Sequence, residues 1–257
     1  MRNIGLANPF GAPVFYEKVV SSTMDRARAL TPEEGPHGTA VMADVQEAGR
    51  GRGNRKWRSN AGENLLCTIL LRYERFEAVP QGITLRIGLA AALAAEGFLP
   101  PASPPVRIKW PNDIMIGPCK AAGILCEGEG GTVRAGIGVN INQTVFPEGL
   151  REKATSMALA GKTVFPDSAR FALLENILGR IHRELSEEEG AWQERLLPRL
   201  YMQGRKVRFI PGAAGAAGGI TGRLEGIGPQ GEICILPEGG TQAALYSAGE
   251  LDLSWEG

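Results

Sequence analysis

The chain has 257 residues, of which 43% are hydrophobic, so it is long enough for one domain of ordinary size and a smaller appendage. Its 28 lysines and arginines balance its 28 aspartates and glutamates, which excludes an overall charge that favours nucleic acid or acidic membranes. The cysteines show no CxxC spacing, and no run approaches about 18 consecutive apolar residues. We therefore expect a soluble, cytoplasmic protein with reduced thiols, no membrane span and no nucleic-acid partner.

The first predicted elements are a strand over Val14–Val19 and a helix that runs through Leu30. Ser22 and Asp25 have the spacing of a capping box, which opens a helix. The hydroxyls of Ser21, Ser22 and Thr23 at this helix start also suit a polar group of a ligand. Capping alone explains the pattern, so both interpretations stay open at this point.

A second predicted strand, Thr39–Val45, ends in Gln46 and leads into a basic loop, Gly49–Arg58 (GRGRGNRKWR). Glycines let backbone amides approach an anion, arginines supply forked donors, and Trp57 offers a face for stacking. Like charges repel in the empty loop, so we expect it to be mobile until an anion orders it. The alternative is a solvated basic loop or a nucleic-acid patch.

The middle of the chain alternates between strands and a helix. Asn64–Arg72 is a continuous apolar run that predicts a buried strand, and Ile83–Gly97 predicts a helix that ends at Gly97. Val133–Asn142 predicts a strand with two glycines where a ligand or another backbone comes close. Asn140 and Asn142 would then share one face of that strand, because strand side chains alternate.

The hairpin between these segments is the predicted centre of an active site. A short strand, Arg107–Trp110, stops at a proline, Gly117-Pro118 turns the chain, and Ala121–Cys126 returns as a buried strand. A plain structural hairpin has no evident use for the polar groups that this one carries, whereas a polyphosphate-bearing ligand would use them. Those groups are Lys109, Asn112, Asp113 and Lys120.

The rest of the chain predicts two helices and then a small all-β unit. Ser168–Leu185 and Gly190–Tyr201 have helical patterns, and Pro211–Gly219 is a low-complexity loop that we expect to be disordered. Short strands follow from Gly204 in the pattern of a small β-barrel: Lys206–Ile210, Ile220–Ile227, Glu232–Leu236 and Ala243–Ala248. The predicted fold class is α+β, a mixed β-sheet with helices packed on one side, with domains over residues 1–203 and 204–257.

Four segments, in register along most of the chain, resemble biotin protein ligases, also called biotin–acetyl-CoA-carboxylase ligases. They are Gly49–Trp57 (GRGRGNRKW), Lys109–Asp113 (KWPND), Lys120–Leu125 (KAAGIL) and Gly136–Asn142 (GIGVNIN). The resemblance implies a catalytic domain like that of class II aminoacyl-tRNA synthetases and a C-terminal SH3-like barrel. Asn54 stands where the family usually has glycine, so we expect a shifted loop conformation. Some members carry an N-terminal helix-turn-helix; the first predicted strand begins near Val14, so we expect a ligase without operator binding.

The resemblance also implies a two-step reaction. Biotin reacts with ATP to give biotinyl-5′-AMP and pyrophosphate, and a lysine of a biotin carboxyl carrier domain, of acetyl-CoA carboxylase or a related enzyme, then takes the biotin. Mg²⁺ would bridge phosphate oxygens, with Asp113 either orienting it or accepting a hydrogen bond from the incoming lysine. The family often forms homodimers through its sheet, but the sequence leaves the oligomeric state open.

Site roles follow from the same resemblance. The implied catalytic residues are Arg52, Lys109, Asp113 and Lys120. The implied biotin-binding residues are Ser21, Ser22, Thr23, Gln46, Gly49, Arg50, Gly51, Arg52, Lys120, Gly123, Leu125 and Gly138. The implied ATP-binding residues are Arg52, Trp57, Asn112, Lys120 and Asn140.

Three other interpretations compete with this one. A lipoate ligase or octanoyl transferase shares the fold, but it binds a thin acyl chain without a ureido ring, and the complete basic loop and the C-terminal barrel favour biotin. A non-catalytic binder of biotin or nucleotide would not need Arg52, Lys109 and Lys120 together. A nucleic-acid-binding protein is supported only by the loop Gly49–Arg58, and the zero net charge speaks against it.

Overall fold

A computed structural model of the chain describes residues 1–53, 55–186, 191–213 and 218–253. Asn54, and with it the expected shift of the basic loop, lies outside the described residues, as does the middle of the loop predicted to be disordered. The strands of the described residues are β1 (Arg2–Asn3), β2 (Val14–Val20), β3 (Ala40–Gln46), β4 (Asn64–Arg72), β5 (Val106–Lys109), β6 (Asp113–Ile116), β7 (Cys119–Glu129), β8 (Thr132–Asn140), β9 (Lys206–Pro211), β10 (Ile220–Ile227), β11 (Ile233–Pro237), β12 (Ala244–Tyr246) and β13 (Gly249–Asp252). The α-helices are α1 (Thr23–Arg28), α2 (Ile83–Phe98), α3 (Met157–Gly161), α4 (Ala169–Ser186) and α5 (Ala191–Leu196), and short 3₁₀ turns cover Phe76–Ala78, Glu148–Leu150 and Leu197–Arg199.

The larger sheet has eight strands in the order β1-β2-β3-β4-β8-β7-β6-β5. It is mixed because β2 and β3 run parallel, whereas its other neighbouring strands run antiparallel. Strand β4 lies in the middle, and its continuous apolar sequence matches burial of both its faces. The predicted mixed sheet is confirmed, and β4 has the predicted bounds.

The two faces of this sheet are covered differently. On one face, α4 packs against β4, and α2 packs beside α4 against β5, β6 and β7. The alternate β4 residues Leu65, Cys67, Ile69 and Leu71 belong to the main buried cluster on this face. On the other face, the short α1 packs through Ala27 against a separate small cluster. The segment Phe76–Phe98 is apolar and long enough to cross a membrane by composition, but much of it is buried in the core, as in the central helix of a globular domain.

Several predicted boundaries differ from the structure: α1 ends at Arg28 instead of Leu30, and the helix predicted through Tyr201 ends at Leu196. Two other boundaries are wrong for identifiable reasons. Helix α2 runs past Gly97 and ends at Phe98, because Leu99 precedes a proline and has an extended backbone with φ −80° and ψ 144°. Strand β8 ends at Asn140, so Asn142 does not share its face. Both ends of the Asn142 amide instead bond the backbone of Phe165, which fixes the loop after the strand.

The smaller sheet has five strands in the order β12-β11-β10-β9-β13, all antiparallel. The predicted C-terminal β-unit is confirmed, but β13 was missed, and within the described residues no pairing closes the sheet into a barrel. The ring of Trp110, at the end of β5, packs edge-on against Phe209 with 5.9 Å between ring centroids. The Trp110 indole also donates to the carbonyl oxygen of Gly231 at 2.9 Å, which ties the two sheets together next to the predicted active-site hairpin.

Candidate active site

A cavity of about 420 Å³ lies on the α1 face of the larger sheet. Strands β4, β7 and β8 form its floor, the start of α1 forms one wall, and the basic loop after β3 covers it. Most of the residues predicted for the site line this one cavity: Ser22, Thr23, Gln46, Arg50, Gly51, Arg52, Trp57, Asn112, Asp113, Lys120, Gly123, Leu125, Gly138 and Asn140.

The polar wall is built at the start of α1. The side chain of Ser22 caps the helix by accepting from the Met24 amide at 3.2 Å. Gln46 Oε1 accepts from the Thr23 amide at 2.9 Å and from the Thr23 hydroxyl at 3.0 Å. The predicted capping box is only half formed, because Asp25 pairs with Arg50 instead of returning to the cap.

The basic loop folds as a small hairpin across the cavity. The Gly51 amide donates to the Arg55 carbonyl at 2.8 Å, and the Trp57 amide donates to the Gly49 carbonyl at 3.0 Å. Gly53 has φ +62°, a conformation that favours glycine at this bend. The loop therefore has its own backbone pairing, which brings its cations and its tryptophan over the sheet.

Three arginines of the loop, Arg50, Arg52 and Arg55, have a protein partner. Arg50 lies 2.8 Å from an Asp25 carboxylate oxygen. Arg52 donates to the Gly249 carbonyl at 3.1 Å, and Arg55 lies 2.7 Å from the Glu250 carboxylate. Both of these last contacts reach β13 of the small sheet. Burial lowers the pKa of the Arg52 guanidinium, which stays charged near neutral pH because the ordinary value is so high.

The indole of Trp57 lies against the glycines of β7 and β8. A Cβ at Gly138 would come within 2.6 Å of the indole, and one at Gly123 within 3.2 Å. The absence of side chains at these two positions therefore makes room for the ring. The indole N–H is buried and has no hydrogen-bond partner among the described residues, so a donor in the cavity is left for a ligand.

Lys120 and Asp113 form the tightest charge pair of the cavity, with 2.5 Å between Nζ and the carboxylate oxygen. Lys109 lies 3.9 Å from the other oxygen of Asp113, behind the cavity wall. Burial lowers the pKa of the Lys109 ammonium, and Asp113 opposes that shift. The carboxylate of Asp113 thus contacts both lysines, and Lys120 Nζ also lies 5.7 Å from the centre of the Trp57 ring.

Two asparagine side chains are fixed by the neighbouring backbone. Asn112 donates to the Ile124 carbonyl at 2.8 Å, and Asn140 donates to the Thr155 carbonyl at 3.0 Å. Asn140 is only 5% exposed, and its Oδ1 has no partner among the described residues. An acceptor held in this way is available to a donor of a bound ligand.

Three predicted residues lie outside the cavity wall. Ser21 is exposed and accepts the Ala48 amide through its carbonyl, and Gly49 packs beside the Gln46 amide group. Lys109 reaches the cavity only through Asp113. Gly49 needs to be small, because a Cβ there would lie 2.8 Å from the Trp57 carbonyl oxygen.

Sequence reasoning also missed part of the site. Phe146, Leu150 and Lys153 line the cavity from the loop after β8, where no local pattern identifies them. Thr68 touches Thr23 from below, with 2.8 Å between the hydroxyl oxygens. A threonine in the middle of an otherwise apolar strand was the one signal that could have found it.

No cluster of three or more metal-binding side chains exists among the residues that the structure describes. Of the described residues that line the cavity, Asp113 is the one carboxylate, and two lysines already surround it. Mg²⁺ is commonly held by one or two carboxylates together with phosphate oxygens. The lining therefore fits a Mg²⁺ ion that a phosphate-bearing ligand brings, but not one held by the protein alone.

Comparisons with known proteins agree with this geometry. Residues 16–143 match the family described as the biotin/lipoate A/B protein ligase family. The biotin--[acetyl-CoA-carboxylase] ligase of Mycobacterium tuberculosis is 31% identical over 83% of this chain and 78% of its own length. The bifunctional ligase/repressor BirA of Bacillus spizizenii is 40% identical over 58% of this chain, but the match spans only 47% of that protein.

Solved structures give the same picture. The biotin protein ligase of Aquifex aeolicus, in complex with biotin and ATP, superimposes with a TM-score of 0.78 and 30% identity, over 93% of this chain and 97% of the other. The mixed sheet and the small C-terminal β-unit are therefore the fold of a biotin protein ligase. The sequence match over most of the length of the mycobacterial relative, together with this superposition, establishes that the chain belongs to the biotin/lipoate A/B protein ligase family.

Proposed function

We propose that this protein is a biotin protein ligase that works in two steps. The carboxylate of biotin attacks the α-phosphorus of ATP, which forms biotinyl-5′-AMP and releases pyrophosphate. A lysine of a biotin carboxyl carrier domain, in acetyl-CoA carboxylase or a related enzyme, then attacks the acyl carbon and releases AMP. The observation that carries this proposal is that one cavity holds a donor–acceptor pair suited to a ureido ring and two cations suited to a carboxylate and a phosphate.

The ureido ring of biotin offers a carbonyl acceptor next to N–H donors. Thr23 and Gln46 offer the complement, because the Gln46 oxygen is occupied by Thr23 and the Gln46 Nε2 group makes no hydrogen bond to a described residue. Ser22 completes this wall. Leu125 and the methionine of α1 supply apolar surface nearby, which suits the sulfur-containing ring and the aliphatic chain.

The first step brings two anions together, so neutralising their charge is the main task of the protein. Arg52 and Lys120 line the same cavity, and we assign them to the carboxylate and the α-phosphate. Lys120 would have to exchange its partner Asp113 for the ligand oxygens, and its contact strengthens as charge develops in the transition state. Arg50 supports the carboxylate from the loop, whereas the Gly51 amide is already bonded to the Arg55 carbonyl.

The nucleotide is assigned to the part of the cavity around Trp57. Its indole offers a stacking face, and the unpartnered Asn140 oxygen suits the exocyclic amine of adenine. Asn112 borders the same space next to Arg52. Bound Mg²⁺ would neutralise phosphate charge, with Asp113 as the protein group able to hold it.

In the second step the adenylate is already activated, so no serine or cysteine nucleophile is needed. Asp113 is placed to accept a hydrogen bond from the incoming lysine ammonium once Lys120 has turned to the phosphate. The partner is therefore a protein that presents an exposed lysine on a small carrier domain.

A mass spectrum of a biotin carrier domain tests the proposal after incubation with this protein, ATP, Mg²⁺ and either biotin or lipoate. The expected result is a biotin-sized increase on one lysine that requires ATP. An increase with lipoate alone would instead assign the protein to lipoate transfer, the other activity in the name of the family. Tight biotin binding without any increase would identify a non-catalytic binder.

A further inference from the structure

Thr68 is a buried threonine of β4 that lies directly behind the polar wall. Its side chain is fully buried, at 0% exposure, and does not line the cavity. Its hydroxyl oxygen lies 2.8 Å from that of Thr23, which does line the cavity. The direction of this hydrogen bond follows from the groups around it.

The Gln46 amide fixes the first proton. The backbone N–H of Thr23 donates to one end of that amide at 2.9 Å, and only an oxygen accepts, so this end is Oε1. The Thr23 hydroxyl lies 3.0 Å from the same oxygen, which directs its single proton there. The bond between the two threonines therefore has Thr68 as donor, because the Thr23 hydroxyl has no second proton to give.

These hydrogen bonds determine which groups of the cavity wall donate and which accept. Thr68 donates to Thr23, Thr23 donates to Gln46, and Gln46 is left with Nε2 as a donor toward the cavity. The Thr23 oxygen keeps one lone pair that accepts from a ligand N–H. Without Thr68 the Thr23 oxygen would lose its buried donor, and the hydroxyl would no longer be held in one orientation.

We propose that Thr68 is a positioning residue that determines specificity, because it fixes Thr23 as an acceptor and Gln46 as a donor for a cyclic urea. This inference rests on the proposed function, since it names the group of biotin that is recognised. In this proposal Thr68 touches no substrate and acts only through Thr23.

The test is a calorimetric titration of biotin into Thr68→Val, which keeps the shape of the side chain and removes the donor. Loss of one hydrogen bond of ordinary strength predicts binding weaker by about threefold to tenfold. Thr68→Ser keeps the hydroxyl and restores the affinity. The matched control is Thr39→Val, since Thr39 is also 0% exposed and its hydroxyl has no partner among the described residues; it binds biotin like the unchanged chain.

Two further measurements test whether the loss of affinity comes from recognition of the urea of biotin. Desthiobiotin keeps the urea but lacks the sulfur-containing ring, so its affinity falls by the same factor in Thr68→Val. In pyrophosphate release, the KM for biotin rises and the KM for ATP does not. If Thr68→Val does not fold, Thr68→Cys, a much weaker donor, takes its place with the same expected loss.

The outcomes separate this inference from the proposed function. If the unchanged chain binds no biotin, the proposed function fails. If it binds biotin and Thr68→Val binds equally well, or Thr39→Val loses as much, the role of Thr68 is overturned. A loss for biotin without a loss for desthiobiotin overturns the assignment to the urea.

Discussion

The two faces of the eight-stranded sheet use the same strands for different purposes. Along β4, Ile69 points to the face that α2 and α4 cover and is 0% exposed, while its neighbour Thr68 points to the α1 face and joins the polar wall. Along β7, Ile124 belongs to the main core and the adjacent Gly123 makes room for Trp57. One face stabilises the fold with large apolar side chains, and the other exchanges them for glycines, hydroxyls and cations. Substitutions on the two faces should therefore have separable effects.

The largest expected effect is on the core face. Ile69→Ala removes buried methyl groups from a packed cluster and should lower the free energy of unfolding by about 2–5 kcal/mol. Urea unfolding followed by circular dichroism measures it. The biotin affinity of the folded fraction should stay unchanged, and a loss of affinity there would show that the two faces are not separable.

Lys120→Ala is the corresponding change on the site face. It should slow adenylate formation at least tenfold, the equivalent of about 1.4 kcal/mol of transition-state stabilisation, and it should leave the unfolding transition in place. Pyrophosphate release measures the rate, with the exposed Lys18→Ala as control. Unchanged pyrophosphate release would refute the role of Lys120.

Trp57→Ala should act on one substrate more than on the other. Losing a stacking face predicts a KM for ATP higher by about twofold to tenfold, with a smaller change for biotin. Steady-state kinetics with each substrate varied in turn makes the comparison. Equal shifts for both substrates would count against stacking on adenine.

The smallest effect concerns the loop over the site face. The backbone after Arg50, Arg52, Arg55, Lys56 and Arg58 should be cut by trypsin in the empty protein and protected when biotin and ATP are both bound. The contacts of the arginines to partly exposed carboxylates are each worth little, about 1 kcal/mol or less, so they do not lock the loop. Identical cleavage in both states would contradict ordering by the ligand.

Local features of the sequence predicted most of the fold and much of the cavity. The apolar run of β4 has the predicted bounds. The basic loop and the hairpin motifs contain much of the set of residues that line the cavity. The missed parts depend on contacts between distant segments. Gly249–Asp252 is a strand only because β9 lies beside it, and Thr68 matters only because Thr23 lies above it.

The paired charges of the cavity have a consequence for unintended ligands. Lys120 is neutralised by Asp113, Arg50 by Asp25, and Arg55 by Glu250. A simple buffer anion that enters must displace a carboxylate that is already in place, so it gains little net attraction. Only a molecule that satisfies several of these positions at once outcompetes the built-in counterions. At these three positions a ligand that replaces several carboxylates at once therefore has an advantage over a single small anion.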